Sequence, residues 1–514
     1  MPPGVSRFVG RLLVLLILMT APFSTAARAV SASDAQLPVR ARSHMVQAEP
    51  DFERLAGAIG RGEAWYRLYG GDASPATVGA EVPLTRVTPE GERRLSTTAS
   101  TAPLTISPTL THTLHLPLVT RPEPQTMVER RAIWITRYDW TRLEAAPIPE
   151  AIDAMVAQVA AAGFNTILFQ VRGAGDAYYT PGLEPWSARL TTGPVSETLG
   201  LDPEWDPLAR MIAAGHAAGL EVHAYVNVYT AWQSSSEDAG QGDLWPPATT
   251  PPQMFDRFTY GPTHLEHPGV YGLGYTWRQY RYAGEDTAQW MPLSWGSYLW
   301  ASPGLDTVND YIAAVIRDIV NRYDIDGVHL DRVRYAGAAY SYDPDSNLAA
   351  GEHPSEDRAQ WQRDRVTALV AQVTAETKAR RPDALVSAAV WPYYIDKWGW
   401  GLTEGYHAYY QDSKGWLASG SVDAIMPMLY GSVPDDMASW EILMQDFVAD
   451  AAGRAVYPGI GGHYEAFSAI SERIEAARAQ GAPGHVIFSY GYLNGNGYWD
   501  DLAAGPYRIP ATVP

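Results

Sequence analysis

From Arg131 onward the chain alternates short apolar runs with longer segments of helical period. The runs are AIWIT (Ala132 to Thr136), NTILFQVR (Asn165 to Arg172), LEVHAYVNV (Leu220 to Val228), DGVHLD (Asp326 to Asp331), ALVSAAVW (Ala384 to Trp391), VDAIMPMLY (Val422 to Tyr430), AVYPGI (Ala455 to Ile460) and HVIFSYGY (His485 to Tyr492). Near-continuous apolar character over such short lengths predicts strands buried on both faces. The helical segments start at Pro149, Asp206, Asp306 and Ala466, and three of them end in a glycine (Gly163, Gly219, Gly481) just before the next strand. Strands and helices in strict alternation predict an α/β fold, a (β/α)8 TIM-type barrel over residues 127–505, with 506–514 as a C-terminal tail. The short, glycine-rich segment from Gly495 is the weakest candidate helix.

Upstream the pattern changes. Arg7 and Arg11 precede an apolar run from Leu12 to Met19, Pro22 breaks it, and small residues follow to Ala32, which predicts a signal peptide over 1–30. The run is too short for a permanent membrane anchor. Residues 31–126 form a low-complexity N-terminal extension, with one short helical stretch from Asp51 and a Thr, Ser and Pro linker from Ser96 to Leu114. Export by signal peptide, with no cysteine available for lipidation, predicts a secreted or extracytoplasmic protein.

Connections from helix to strand are a few residues long, whereas those after strands two to five are long, the longest running from Tyr229 to Leu305. Long loops on one rim mark that rim as the site. The alternation rule then points polar side chains inward near the strand ends: Gln170 and Arg172 on strand two, His223, Tyr225 and Asn227 on strand three, His329 and Asp331 on strand four. Barrel interiors are ordinarily filled by Val, Ile and Leu, so this agreement across three strands marks a site. The competing role for each residue is a satisfied core polar group, with Arg172 as an ion-pair partner of Asp331. Asp326, at the start of strand four, reads as structural.

Asp331 has two candidate partners beyond strand two, Glu184, which is the first choice, and Asp176. Two carboxyl groups across a bond are what glycoside hydrolysis requires, one as general acid and one as nucleophile or base. Either pairing is allowed by the strand order; capping a turn (Asp176) or pairing with a nearby arginine (Glu184) are the structural alternatives. Catalytic candidates are therefore Asp331, Glu184 and Asp176. Candidates for substrate binding are Arg172, Trp186, His223, Asn227, His329 and Tyr430.

Composition narrows the class. A net charge of −19 argues against a nucleic-acid surface and against docking to anionic lipid. His264 and His267 lack a third ligand and no HExxH occurs, so no metal or other cofactor is expected; the DPDSN run at Asp343 lacks the glycine and glutamate of a calcium loop. The 18 Trp and 30 Tyr are abundant in the long loops (Trp186, Trp232, Trp277, Trp290, Trp295, Trp300, Trp398, Trp400), where flat rings suit sugar faces or pack the loops onto the barrel.

The stretches QVRGAGDAYYTPGLEPWSARLTTG, WDPLARMIAAGHAAGLEVHAYVNVY, SPGLDTVNDYI leading into RYDIDGVHLDRVRY, and VDAIMPMLY, in that order, resemble the glycosyl-hydrolase-like family 10 proteins. These are exported bacterial barrels that include the enzyme clipping glycan strands of denuded peptidoglycan. The resemblance covers about Met127 to Asp501 and puts Arg172, Asp176, Glu184, Trp186, His223, Asn227 and Asp331 on matched positions. It departs at Gly173, Val228, Thr230, Arg332 and Met428, where the family usually has Pro, Pro, Arg, often Asp, and Gln. What it implies is an exported glycoside hydrolase of a peptidoglycan-type or related amino-sugar polysaccharide; apart from the resemblance, a monomer is expected. The alternatives are a non-catalytic glycan-binding barrel and a hydrolase of exopolysaccharide or plant glycan.

Overall fold

A computed structural model describes residues 126–142, 144–233, 247–254, 298–338, 340, 355–431 and 436–514. The segments expected as signal peptide and extension, the loop tryptophans 277, 290 and 295, His264, His267 and the run at Asp343 lie outside the described residues.

Nine parallel strand segments form one sheet: β1 (Arg130–Ile135), β2 (Thr166–Arg172), β3 (Glu221–Asn227), β4 (Gly327–Asp331), β5 (Leu385–Val390), β6 (Ala424–Pro427), β7 (Ala455–Val456), β8 (Gly459–Gly461) and β9 (Gly484–Phe488). Their order is β7-β6-β5-β4-β3-β2-β1-β9-β8. The two edges, β7 and β8, are halves of one run parted only by Tyr457 and Pro458. Tyr457 N–H donates to the Ile425 carbonyl on one side, and the Pro458 carbonyl accepts from Val486 N–H on the other. The sheet thus curls back on itself, as a TIM-type barrel does. All eight expected strands are present, the seventh in two pieces.

Helices follow the strands in turn: α1 (Pro149–Ala161), α2 (Pro207–Ala217), α3 (Asp306–Arg322), α4 (Ser355–Arg380), α5 (Ser413–Ser419), α6 (Met437–Ala449), α7 (Phe467–Ala479), α8 (Tyr490–Asn496) and α9 (Trp499–Ala504). The terminal glycines behave as expected, with Gly163, Gly219 and Gly481 at φ 90°, 74° and 75°, a region open to glycine at little cost. The doubtful last segment is helical after all, because Leu493, Trp499 and Leu502 pack into the core beside α1.

The core has two shells. Outward side chains of the sheet and inward faces of the helices make the larger one, including Ile133, Phe169, Val226, Leu330 and Ile316. A smaller cluster fills the barrel itself, with Trp134, Leu168, Tyr225, Met426, Tyr430 and Val486. Residues 506–514 are no loose tail. Ala511–Thr512 pair in parallel with Met127–Val128, the Tyr507 carbonyl accepts from Arg131, and Arg478 donates to the Pro506 carbonyl at 2.8 Å. Arg131 and Arg478 also share the buried Glu129 carboxylate, so this clamp joins the first strand of the sheet to residues 506–514.

Candidate active site

Asp331 ends β4 on the inner face. Its Oδ2 accepts from the Tyr225 hydroxyl at 2.6 Å and its Oδ1 from the Arg332 backbone N–H at 2.6 Å. Arg332 bends the chain there with φ 51°, a left-handed conformation that costs a side-chain-bearing residue about 1–2 kcal/mol. Burial and the charge of Asp331 push the Tyr225 hydroxyl well above its ordinary range, so Tyr225 remains a proton donor to the carboxylate.

One layer below lies His329. Trp134 Nε1–H donates to its Nε2 at 2.9 Å, which leaves Nδ1 as the protonated nitrogen, 2.9 Å from Ser387 Oγ. Burial, reinforced by His223, pushes it down to about 3. His329 is therefore a neutral, fixed part of the floor, packed edge-on to Tyr225 at 5.4 Å. Tyr430, just past β6, stacks flat on Phe488 at 5.1 Å and meets Trp134 edge-on at 6.0 Å. Its hydroxyl is also raised, by burial first and the Asp331 charge second, so it shares the electrostatic neighbourhood of that carboxylate.

Asn227 stands in register with Asp331 on the adjacent strand. Its side chain is 1% exposed, and its Oδ1 has no hydrogen-bond partner. A buried acceptor left unpaired costs about 1–3 kcal/mol. Here it sits beside the candidate carboxylate.

Arg172 and Glu184 are elsewhere in kind. The β2–β3 register shifts between Gln170 and Arg172, and this bulge takes Arg172 off the inner face that simple alternation assigned to it. The guanidinium donates to both Glu184 oxygens at 2.8 Å, to the Val228 and Thr230 carbonyls at 3.0 and 3.1 Å, and to the Asn227 carbonyl. Both side chains are 0% exposed, among Tyr179, Tyr311 and Met254 of the outer shell. What the pair holds is the end of β3, whose Val228 N–H in turn donates to the Asp331 carbonyl at 2.8 Å. Trp186 is likewise packed in the outer core. His223 lies at the far end of β3, four positions before Asn227, hydrogen-bonded to Glu221 at 3.1 Å beneath the Tyr225 layer. Asp326 sits at the start of β4, accepting from Val222 N–H at 2.8 Å and close to His216.

Asp176 is half-buried past β2, its Oδ1 accepting from Ala174 N–H at 2.7 Å. Nearby is Arg137, which follows β1 and was not among the expected site residues. Its backbone N–H donates to Gln170 Oε1 at 2.9 Å, and its guanidinium to Tyr138 and Gln233 at 2.6 and 2.8 Å and to Tyr298. Burial works against its charge, but the oxygens of Tyr138, Tyr298, Tyr178 and Asp176 outweigh it and raise Arg137 well above its usual range. Its charge also bears on Tyr225. Arg137 thus ties the turn after β1 to Gln170 of β2 and to the hydroxyls of Tyr138 and Tyr298. Gln170, read as inward from the alternation, was the available clue to it.

Another residue outside the expected set is Asp139, in the same short turn. Burial pushes its carboxyl up to about 6, against hydrogen bonds from Thr136, Gly491 and Ser489.

The sequence profile of the family Glycosyl hydrolase-like 10 matches residues 129–243 and 278–456. The chain belongs to this family. By that membership it is a glycosidase, and curated relatives carry the same description. Glycosyl hydrolase YngK of Bacillus subtilis is 25% identical over 424 residues, covering 75% of this chain and 73% of its own. Glycosyl hydrolase DigH of Escherichia coli K12 is 27% identical over 349 residues, covering 64% of this chain and 70% of its own. Among solved structures, the PgaB (BpsB) glycoside hydrolase domain from Bordetella bronchiseptica is 13% identical with a TM-score of 0.48, over 73% of this chain and 98% of that one. Among the described residues no helix is long and apolar enough to cross a membrane.

Proposed function

We propose that this glycosidase is an exported enzyme that cleaves the glycan of the bacterial cell wall or a related amino-sugar polysaccharide, with Asp331 as the reacting carboxylate. The observation that carries the role of Asp331 is its setting: an inner-face carboxylate at a strand's C-terminal end whose two partners, Tyr225 O–H and Arg332 N–H, both donate to it. A group so arranged is equipped as nucleophile or base. Asp176 is the better placed of the two expected partners, since Glu184 spends both oxygens on Arg172 out of reach of solvent. Asn227 Oδ1 is buried and unpaired beside Asp331, a polar site left open next to the candidate carboxylate. Tyr430 and Phe488 offer a flat apolar wall.

The substrate class is supported by the sequence blocks shared with a family that includes the enzyme of denuded peptidoglycan, and export by the amino-terminal pattern of arginines, apolar run and small residues. The test is mass spectrometry of soluble products after the protein is incubated with intact and with peptide-stripped peptidoglycan. The expected result is release of new disaccharide-based ends, more from the stripped polymer. Retention on the polymer without new reducing ends identifies a glycan-binding barrel instead, and no interaction with either wall polymer rejects this substrate class.

A further inference from the structure

We propose that the turn following β5 carries an outer glycan-binding subsite built from Trp398 and Trp400, a reading that rests on the polysaccharide hydrolase assignment above. The two indoles stack on each other, centroids 5.0 Å apart and planes 27° from parallel, and both are half-buried, leaning on the core with part of each ring in solvent. Trp400 is also braced edge-on by Tyr393 at 6.0 Å. The turn beneath them is held from inside. Asp396 accepts from the backbone N–H groups of Trp398, Trp400 and Gly401 at 3.2, 3.1 and 2.7 Å, and its own N–H donates to Glu404 at 2.6 Å. Gly399 and Gly401 take φ 69° and 72°, and a Cβ on either would meet nothing, so glycine is needed there for backbone conformation and not for space. The adjacent Lys397 is tied to Asp446 on α6.

A large aromatic side chain gains most when it is fully buried. Two tryptophans left partly exposed on a turn fixed by a carboxylate and two left-handed glycines forgo part of that. What the arrangement provides is a rigid apolar slab that loses little entropy on binding. The turn belongs to the connection that leaves the C-terminal end of β5, the strand hydrogen-bonded to β4, which ends in Asp331. A flat aromatic slab in that connection fits the C–H face of a pyranose in a long chain, its hydroxyls directed to water. The occupant is a sugar unit some distance along the chain from the bond being cut.

The experiment compares the full-length protein with Trp398→Ala, Trp400→Ala and the milder Trp398→Phe, on long peptide-stripped glycan strands and on short fragments of the same glycan. Binding to the long strands is measured in parallel with Asp331→Asn added, so that it is read without cutting. The alanine variants are expected to raise KM on long strands about tenfold, equivalent to about 1.4 kcal/mol. The values of kcat and the behaviour on short fragments should be unchanged, with Trp398→Phe in between. Unchanged KM and binding on long strands overturns the inference while leaving the hydrolase reading intact, as does an equal loss on short and long substrates, which is the mark of a merely structural turn. If the parent protein neither binds nor cuts the strands, the wall-glycan reading fails and this subsite falls with it.

Discussion

Asp331 and Glu184 are both acidic, both in the matched family blocks, and both expected in the chemistry; their surroundings separate them. Asp331 keeps one edge towards the barrel mouth and is served by Tyr225, so Tyr225→Phe is expected to lower kcat by one to two orders of magnitude, roughly the worth of a charge-assisted hydrogen bond of about 1.5–3 kcal/mol, with little change in melting temperature. Steady-state kinetics with circular-dichroism melting checks this. Glu184 behaves as half of a buried ion pair whose other half fills its remaining donors with β3 carbonyls. Breaking such a pair by removing one partner costs about 3–5 kcal/mol, so Glu184→Gln should unfold at markedly lower denaturant concentration, and Arg172→Met alone should do the same. Residue identity was legible from the chain; this division of labour was not, because it depends on a bulge between Gln170 and Arg172 that leaves no mark in the apolar pattern.

At the scale of elements, strands announced themselves. Buried parallel strands such as TILFQVR and LVSAAV carry their apolar character on both faces, so their positions follow from local sequence alone. The interruption of the seventh at Tyr457–Pro458 follows from proline's missing N–H, which suits a place where the chain changes partners. Alternation also set His329, Asp331 and Tyr225 on the inner face. What it could not set was height along a strand: His223 and Asn227 share a face, yet one is beneath the floor with Glu221 and the other beside Asp331. Asn227→Ala is accordingly expected to leave stability unchanged or improved, since it deletes an unpaired buried acceptor. His223→Ala is expected to lower stability and leave KM alone. Parallel melting curves distinguish them, with a KM determination on the second.

For the molecule as a whole, buried titratable groups set a pH profile. Burial tends to raise Glu129 and Glu221, but the guanidinium groups around Glu129, and His223 with Arg130 around Glu221, outweigh it and bring both down to about 2. Carboxyls depressed in this way stabilise the fold above about pH 4.5 and lose that contribution as pH falls towards 2, at about 1.4 kcal/mol per unit for each group. His329 and His485, pushed by burial to about 3 and 4, add a loss that begins as pH drops through about 6.5, the value of the unfolded chain. Asp139 opposes it: its carboxyl is raised to about 6, so its contribution is present at low pH and disappears as pH rises through 6. The expected melting temperature therefore declines from about pH 6.5 downward and steepens below 4.5, with Asp139→Asn steepening the decline between 6 and 4. Thermal melts across pH 2–8 check both.

The central claim is that Asp331 reacts and Glu184 holds. The most direct test assays Asp331→Asn and Glu184→Gln side by side for release of reducing ends from peptide-stripped glycan, with a melting curve on each. The account predicts an Asp331→Asn protein that is inactive and melts at or above the parent's temperature, as where function and stability conflict, and a Glu184→Gln protein that melts far lower. An Asp331→Asn protein that still cuts, or a fully stable Glu184→Gln protein that does not, would contradict it.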